Sequence, residues 1–348
     1  MSAIAPVPNG QQTLIVRAPL RLSLAGGGTD IDAYSRAYGG LVVSTTIDKH
    51  VYVVARPTDS EETQILSADY GTFVRHIPSA PSFGIDLALP KAILDEVQAH
   101  QRLQIFIASE VSPGTGLGSS GSVAVALTHA LLTLKGALPE PDSVAQVACR
   151  VKIDRLGQPA GRQDEYAAAF GGMNVIRFSE TGVHVSPIQL PQGARRNLEQ
   201  RLLLFHTGKT RNSSTILRDQ EAKAASKSPD SLQALHGIRE LAERAIRLLE
   251  DGDLDGYGRL LGQSWLLKRR IATGISSSAI DAWYEAALVA GALGGKIAGA
   301  GGGGFLLLYV PDLSRQRVIS TLERLGLRHL DFAFERAGVT VLLDSVLR

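Results

Sequence analysis

The sequence of 348 residues has one cysteine, Cys149. A lone cysteine cannot form an intramolecular disulfide, and its apolar helical surroundings favour a buried structural thiol in a reducing compartment. No stretch approaches about 18 uninterrupted apolar residues, and the N-terminus has no basic region followed by an apolar one. These absences predict a cytoplasmic protein without a membrane partner.

Metal-binding patterns and blocks of like charge are also missing. The eight histidines are scattered without the spacings of zinc sites, which argues against a structural or catalytic zinc. The formal net charge is +2, and lysine and arginine are spread along the chain, so nucleic acid is not the expected partner. We expect small-molecule ligands, bound by a monomer or a homodimer.

The composition is that of a globular protein, with 44% hydrophobic and 20% charged residues. The length predicts about two domains. Strand-like and helical segments are mixed without strict βαβ alternation, which favours an α+β fold over a doubly wound sheet. We expect a flexible leader at residues 1–12, a first lobe at 13–195 and a second lobe at 196–348.

Several local elements can be predicted from the patterns of apolar residues. Strands are predicted at 13–24, 41–47, 51–55 and 103–107, and helices at 122–134 and 143–156.

Three glycine-rich segments lie at Gly26–Gly28, Pro113–Ser122 and Gly299–Gly304. Glycine costs conformational entropy on folding and is usually retained for positive φ or for close backbone approach. The middle segment leads directly into a predicted helix, whose free N–H groups and dipole favour a phosphate. Its serine hydroxyls can add hydrogen bonds or a Mg²⁺ ligand.

The common nucleotide-binding fingerprints do not fit the middle segment. No lysine follows its glycines, which argues against a GxxxxGK[ST] phosphate loop. The spacing of Gly114, Gly116 and Gly118 also differs from the dinucleotide pattern GxGxxG. Glycine content alone is therefore compatible with a flexible loop, and the order of all three segments has to decide.

The three segments resemble the motifs of a known family. APLRLSLAGGGTD (Ala18–Asp30), PGTGLGSSGS (Pro113–Ser122) and KIAGAGGGGF (Lys296–Phe305) are similar to motifs 1, 2 and 3 of the GHMP kinases, in the same order. The resemblance implies an N-terminal lobe like domain 2 of ribosomal protein S5 and a ferredoxin-like C-terminal lobe. It also implies that ATP, with Mg²⁺, meets a sugar between the lobes.

Within that family, other segments resemble the bacterial heptose 7-phosphate kinases. They are GRQDEYAAAFGG (Gly161–Gly172), FHTGKTRNSSTIL (Phe205–Leu217) and QSWLLKRRIATGISSSAID (Gln263–Asp281). This resemblance implies transfer of the γ-phosphoryl group of ATP to the anomeric hydroxyl of D-glycero-D-manno-heptose 7-phosphate.

The family motifs imply roles for two charged residues. Asp164 matches the aspartate that accepts the proton of the sugar hydroxyl, and an anomeric hydroxyl is acidic enough for a carboxylate to do so. Arg21 matches a basic residue that keeps this aspartate ionised and offsets charge on the transferred group. Without the resemblance, Asp164 reads as a helix cap or a surface aspartate, and Arg21 as a surface arginine.

The motifs also imply the binding residues. The loop expected to hold ATP consists of Pro113, Gly114, Thr115, Gly116, Leu117, Gly118, Ser119, Ser120, Gly121 and Ser122. The residues expected to bind the sugar phosphate are Gly26, Gly27, Gly28, Thr29, Asp30, Gly301, Gly302, Gly303, Lys209, Arg211, Lys268 and Arg269. For Asp30 the alternative is turn chemistry, and for the cations it is a solvated face.

The magnesium ligands are only half accounted for. Ser120 matches the serine that binds Mg²⁺ in family members, but Lys152 stands where those kinases carry a glutamate. Asp154 is the nearest acidic replacement, although two helical positions diverge by about 200°. Ser120 and Asp154 are therefore the expected ligands, with ATP and water as the alternative to Asp154.

Two other functions stay open on the sequence. One is a kinase for an unphosphorylated galactose-, fucose- or glucuronate-type sugar; galactokinases read GEHTD in motif 1, where this chain has Gly27 and Gly28. The other is a sensor that binds ATP and sugar without catalysis, which would tolerate the loss of Arg21 or Asp164, yet both are present.

Overall fold

The structure is a computed structural model that describes residues 13–60, 62–69, 72–76, 87–99, 102–209 and 213–345. The leader expected at residues 1–12, and Arg211 among the expected substrate ligands, lie outside the described residues.

The described chain contains strands and helices in mixed order. The strands are β1 (Leu14–Ala25), β2 (Gly40–Pro57), β3 (Thr63–Ser67), β4 (Thr72–His76), β5 (Leu103–Ser109), β6 (Met173–Ser179), β7 (Gly182–Pro187), β8 (Leu202–His206), β9 (Gly294–Ile297), β10 (Phe305–Tyr309), β11 (Arg328–Leu330), β12 (Phe334–Glu335) and β13 (Thr340–Asp344). The α-helices are α1 (Asp32–Tyr38), α2 (Ala88–Glu96), α3 (Ser119–Leu134), α4 (Pro141–Cys149), α5 (Gln163–Phe170), α6 (Ala194–Arg201), α7 (Ser213–Ala225), α8 (Pro229–Glu250), α9 (Leu254–Ile271), α10 (Ser278–Val289) and α11 (Arg315–Arg324).

The first sheet is built around the long strand β2. It follows the order β13-β1-β2-β5-β3-β4, and β6 and β12 also pair with β2. The first half of β2 carries β6 and its second half carries β5, so one 18-residue strand joins two parts of the sheet. Helix α3 packs on β1 and β2 and buries an apolar face there, because most of its residues are inaccessible to solvent.

The second sheet is four-stranded and antiparallel, in the order β11-β8-β10-β9. Its central strands β8 and β10 are almost entirely buried, and helix α9 packs against β9. Trp265 on α9 is 1% exposed within this core. The α+β, two-lobed fold expected from the sequence is confirmed by these two sheets.

The lobes meet through glycines that have no room for a side chain. A Cβ atom on Gly304 would lie 2.2 Å from the Thr115 carbonyl oxygen, and one on Gly116 would lie 2.4 Å from the Ala298 carbonyl oxygen. The Phe305 N–H donates to the Thr115 carbonyl across the same junction at 3.2 Å. Motif 3 therefore packs directly against the motif 2 loop.

The structure refines three expectations. The strands predicted at 41–47 and 51–55 form the single strand β2. The helix predicted at 143–156 ends as α4 at Cys149 and continues as a π-helical turn, Arg150–Arg155. The division at residue 195 stays a prediction, with the qualification that β12 and β13 return from the C-terminal segment to the first sheet.

No helix in the described ranges is long and apolar enough to cross a bilayer.

Cys149 is buried, and burial raises the pKa of its thiol, as does the nearby Glu165 carboxylate.

Candidate active site

A cavity of about 1000 Å³ lies between the lobes, lined by all three glycine-rich segments. Its lining includes the apolar residues Leu87, Leu89 and Ile107, and it also includes residues of helix α7. Ligand sites of small-molecule enzymes have this size and mixed lining.

The motif 2 loop forms the middle of the cavity wall. Gly114, Gly116 and Gly118 all have positive φ, which curls the backbone around the start of α3. No side chain caps this helix, and the hydroxyl of Ser119, at its first position, is buried without a hydrogen-bond partner among the described residues. An uncapped helix start with a spare hydroxyl matches the needs of a phosphate group.

Only part of the ten-residue loop faces the cavity. The residues that line it are Pro113, Gly114, Gly116, Gly118, Ser119 and Ser120. The other four are turned into the protein and do not line it: Thr115, Leu117, Gly121 and Ser122. The Ser122 hydroxyl donates to the Pro19 carbonyl at 2.8 Å, and the Thr115 hydroxyl donates to the Ser112 carbonyl at 2.9 Å.

Arg21 and Asp164 form an ion pair at the base of the loop. Arg21 on β1 donates from Nε to Asp164 Oδ1 at 2.8 Å, and from Nη1 to the Gly116 carbonyl at 2.6 Å. Asp164 is the second residue of α5, and both side chains line the cavity. A Cβ on Gly118 would lie 3.4 Å from the Asp164 carboxyl carbon, so the carboxylate adjoins the motif 2 loop.

Asp30 ties the motif 1 turn to the start of α5. Its Oδ1 accepts from the Gly28 N–H at 3.0 Å, and its Oδ2 accepts from the side chain of Gln163 at 2.9 Å. Gly161 must lack a side chain, because a Cβ there would lie 1.9 Å from Asp30 Oδ2. Asp30 is 1% exposed, so turn chemistry accounts for its hydrogen bonds, although it borders the cavity.

The other motif 1 residues divide in the same way. Gly27 and Gly28 line the cavity, whereas Gly26 and Thr29 do not. The Thr29 hydroxyl is fully buried and bonds to the carbonyls of Gly26 and Leu41, which fixes the turn against β2.

Two family models match the chain. "GHMP kinases N terminal domain" matches residues 88–172, and "GHMP kinases C terminal" matches residues 245–326. These matches contain motif 2 with Asp164, and motif 3, at the cavity described above.

The chain belongs to the GHMP kinases. Among curated proteins it is similar to a D-glycero-alpha-D-manno-heptose 7-phosphate kinase of Campylobacter jejuni, at 29% identity over 94% of this chain and 98% of that protein. A crystal structure of a putative sugar kinase from Campylobacter jejuni has 28% identity and a TM-score of 0.76, covering 97% of this chain and 100% of that one. A D-glycero-D-manno-heptose 1-phosphate kinase of Bacteroides thetaiotaomicron has 26% identity and a TM-score of 0.76, covering 95% and 99%.

Lys152 of this GHMP kinase is half of a buried ion pair. Its Nζ lies 2.7 Å from Glu165 Oε1, and the two residues are 5% and 0% exposed. Burial alone would lower the pKa of Lys152, but the Glu165 carboxylate raises it above its usual value. Lys152, which stands where family members carry a metal-binding glutamate, therefore neutralises the charge of Glu165, the residue next to Asp164.

The two expected metal ligands are not brought together. Ser120 is exposed on the cavity wall, whereas Asp154 is exposed on the π-helical turn and does not line the cavity. Within the described residues no group of three histidine, cysteine or acidic side chains could hold a metal ion. The donor set fits a Mg²⁺ ion that arrives with phosphate and keeps several waters, and not one held in a protein cage.

Among the expected substrate cations, Lys268 alone is described at the cavity. Its Nζ donates to the Gly299 carbonyl at 2.6 Å. Arg269 faces away and pairs with Asp281 at 2.7 Å, because adjacent helical positions point about 100° apart. Lys209 is exposed outside the cavity lining, and its carbonyl accepts from the Gly304 N–H.

Only the first two residues of the motif 3 glycine run lie in the cavity wall. Its lining residues are Gly299 and Ala300, whereas Gly301, Gly302 and Gly303 do not line it. The Gly302 N–H donates to the Ile275 carbonyl at 2.6 Å, so these glycines serve close backbone packing.

Two cations near the cavity were not predicted from the sequence. Arg218 on α7 is exposed at the cavity, and the only feature that could have pointed to it is its position directly after Phe205–Leu217, the segment that resembles heptose 7-phosphate kinases. Lys296 on β9 is buried; burial lowers the pKa of its amine well below the usual value, and Lys268 and Arg21 lower it further.

Replacing Lys152 by methionine is expected to cost about 3–5 kcal/mol of unfolding free energy, because Glu165 is left buried without its cation. The double variant Lys152→Met, Glu165→Gln is expected to regain part of this loss. Urea unfolding of Lys152→Met, of Glu165→Gln and of the double variant measures the coupling free energy between the two residues.

The control is Arg177→Met, which breaks the exposed pair of Arg177 with Glu243 and is expected to cost at most about 1 kcal/mol. A cost for Lys152→Met as small as that of the control would contradict the buried-pair interpretation.

Proposed function

We propose that this GHMP kinase transfers the γ-phosphoryl group of ATP to the anomeric hydroxyl of D-glycero-D-manno-heptose 7-phosphate, giving the 1,7-bisphosphate. The observation that carries the proposal is the Arg21–Asp164 pair next to the uncapped start of α3. The Campylobacter jejuni relative, a D-glycero-alpha-D-manno-heptose 7-phosphate kinase similar over nearly the whole chain, supports the choice of sugar.

Asp164 is proposed to receive the proton of the sugar hydroxyl. Arg21 holds Oδ1, while no described residue bonds Oδ2 of the same carboxylate, which leaves that oxygen to accept a hydrogen bond from the substrate. As the hydroxyl oxygen bonds to the γ-phosphorus, the bond to the bridging oxygen breaks and ADP leaves. Arg21 offsets charge on the migrating group, since a guanidinium stays protonated.

The motif 2 loop is proposed to hold the phosphates of ATP. The apolar lining that contains Leu87, Leu89 and Ile107 is proposed to hold the adenine base of ATP. The backbone N–H groups at the start of α3 and the Ser119 hydroxyl would bind phosphate oxygens. Ser120 would contribute one ligand to Mg²⁺. When bound, Mg²⁺ supplies neutralisation of the phosphate charge that develops during transfer.

The small motif 1 turn argues against a galactokinase-type sugar site. A Cβ on Gly28 would lie 2.6 Å from Gln220 Nε2, and one on Gly27 would lie 2.9 Å from Ser23 Oγ. The glutamate and histidine of the GEHTD motif therefore do not fit this turn without rearrangement. A cytoplasmic location, and a monomer or homodimer, remain part of the proposal.

A coupled ADP-release screen tests the substrate. The panel contains heptose 7-phosphate, sedoheptulose 7-phosphate, free heptose, galactose, fucose and mannose. Heptose 7-phosphate is expected to give the highest kcat/KM. Turnover of an unphosphorylated hexose alone would overturn the proposed substrate.

Asp164→Asn is expected to lower kcat by about 10²–10⁴-fold, because amide oxygen is a poor proton acceptor. The measurement is steady-state ADP release, with circular dichroism to show that the fold is kept. Asp154→Asn is the matched control, since Asp154 is exposed and outside the cavity lining, and it is expected to leave kcat unchanged. Activity of Asp164→Asn within a few-fold of the wild type would remove Asp164 as the base.

Ser120→Ala is expected to raise the Mg²⁺ concentration for half-maximal activity by several-fold, because one metal ligand is lost. Asp154→Asn is expected to leave that concentration unchanged. A magnesium titration at saturating ATP compares both variants with the wild type. An increase for Asp154→Asn and none for Ser120→Ala would reverse the assignment.

A further inference from the structure

The cavity has more positive than negative side chains, and most of them are already paired. Its lining cations are Arg21, Lys152, Arg218 and Lys268. Arg21 bonds Asp164, Lys152 bonds Glu165, and Lys268 bonds a backbone carbonyl. In the described part of the chain, Arg218 alone among these four makes no ion pair or hydrogen bond with another residue. Its guanidinium is the charge that is available to a ligand.

Helix α7 presents one face to the cavity. Ser214, Leu217 and Arg218 line it, at positions i, i+3 and i+4, which lie on the same side of an α-helix. This face contributes an apolar side chain, a hydroxyl and a guanidinium to the same cavity wall.

The residues that follow Arg218 are anchored to other elements. Asp219 Oδ2 accepts from the Thr273 N–H at 2.7 Å and from Lys223 Nζ at 2.9 Å. Gln220 is 2% exposed, and its Nε2 donates to the Gly28 carbonyl at 3.5 Å. These contacts fix α7 against the motif 1 turn and the loop after α9, and so fix where the Arg218 side chain begins.

A continuous set of contacts relates Arg218 to the reacting end of the cavity. Asp164 adjoins Gln163 on α5, whose side chain bonds Asp30, and Asp30 bonds the Gly28 N–H. The Gly28 carbonyl in turn contacts Gln220 on α7. A sugar lying across the Gly27–Gly28 turn, with its reacting hydroxyl at Asp164, therefore points its far end toward α7.

We propose that Arg218 binds the phosphate that the sugar already carries, and so selects a sugar phosphate over a free sugar. This assignment rests on the proposed function, because it takes the reacting hydroxyl to lie at Asp164. A guanidinium matches the geometry of a phosphate monoester with two parallel N–H donors. The partner is the terminal phosphate of the acceptor, at the opposite end from the transferred group.

The test compares heptose 7-phosphate with free heptose in steady-state assays of Arg218→Gln. With heptose 7-phosphate, kcat/KM is expected to fall about 10- to 100-fold, mostly through KM, because charge-assisted hydrogen bonds are lost. With free heptose, kcat/KM is expected to be unchanged, as is KM for ATP. Arg218→Lys keeps the charge without the paired donors and is expected to lie between the two.

The matched control is Arg259→Gln, which removes an exposed arginine on α9 that does not line the cavity. It is expected to behave as the wild type with both sugars. Calorimetric binding of heptose 7-phosphate without turnover gives a second readout, in which Arg218→Gln alone weakens affinity.

The outcomes separate the two claims. If the wild type uses heptose 7-phosphate but Arg218→Gln keeps its kcat/KM within about threefold, Arg218 does not bind that phosphate, and the proposed function stands. The same holds if both sugars lose activity equally, or if only KM for ATP rises. If the wild type phosphorylates unphosphorylated sugars alone, the proposed function fails and the assignment of Arg218 fails with it.

Discussion

The guanidinium of Arg21 is the contact on which the arrangement of the site depends. It joins strand β1 to helix α5 through Asp164, and it joins β1 to the motif 2 loop through the Gly116 carbonyl. The Arg21 N–H also donates to the Leu117 carbonyl, so backbone and side chain hold the same loop. One residue therefore fixes the carboxylate and the motif 2 loop relative to each other, as the proposed alignment of acceptor hydroxyl and donor phosphate requires.

Close backbone packing supports this arrangement from behind. Gly116 faces Ala298 and Gly299, and Gly304 faces Thr115, at separations that exclude any side chain. The C-terminal lobe therefore shapes the motif 2 loop, although few of its motif 3 residues line the cavity. The buried pair of Lys152 with Glu165 links the π-helical turn to the start of α5. Close backbone approach explains these glycines, and neutralisation of Glu165 explains Lys152.

Much of the fold and the centre of the site could be predicted from the sequence. The glycine segments and the pairing of Arg21 with Asp164 follow local patterns read through the family motifs. The partner of Lys152 could not, because the π-helical turn changes which residues face Glu165. Arg218 was missed because an exposed arginine on a polar helix has no pattern of its own, and only the tertiary structure places it at the cavity. Arg269 pairs with Asp281 on another face of α9, and its role as a substrate ligand stays a prediction.

The most direct test of this account is a crystal structure with a non-hydrolysable ATP analogue, Mg²⁺ and heptose 7-phosphate bound together. We expect the anomeric oxygen within hydrogen-bonding distance of Asp164 Oδ2, with the γ-phosphate against the loop at Gly116–Ser120. A complex in which another hydroxyl, or no hydroxyl, of the sugar contacts Asp164 would contradict it.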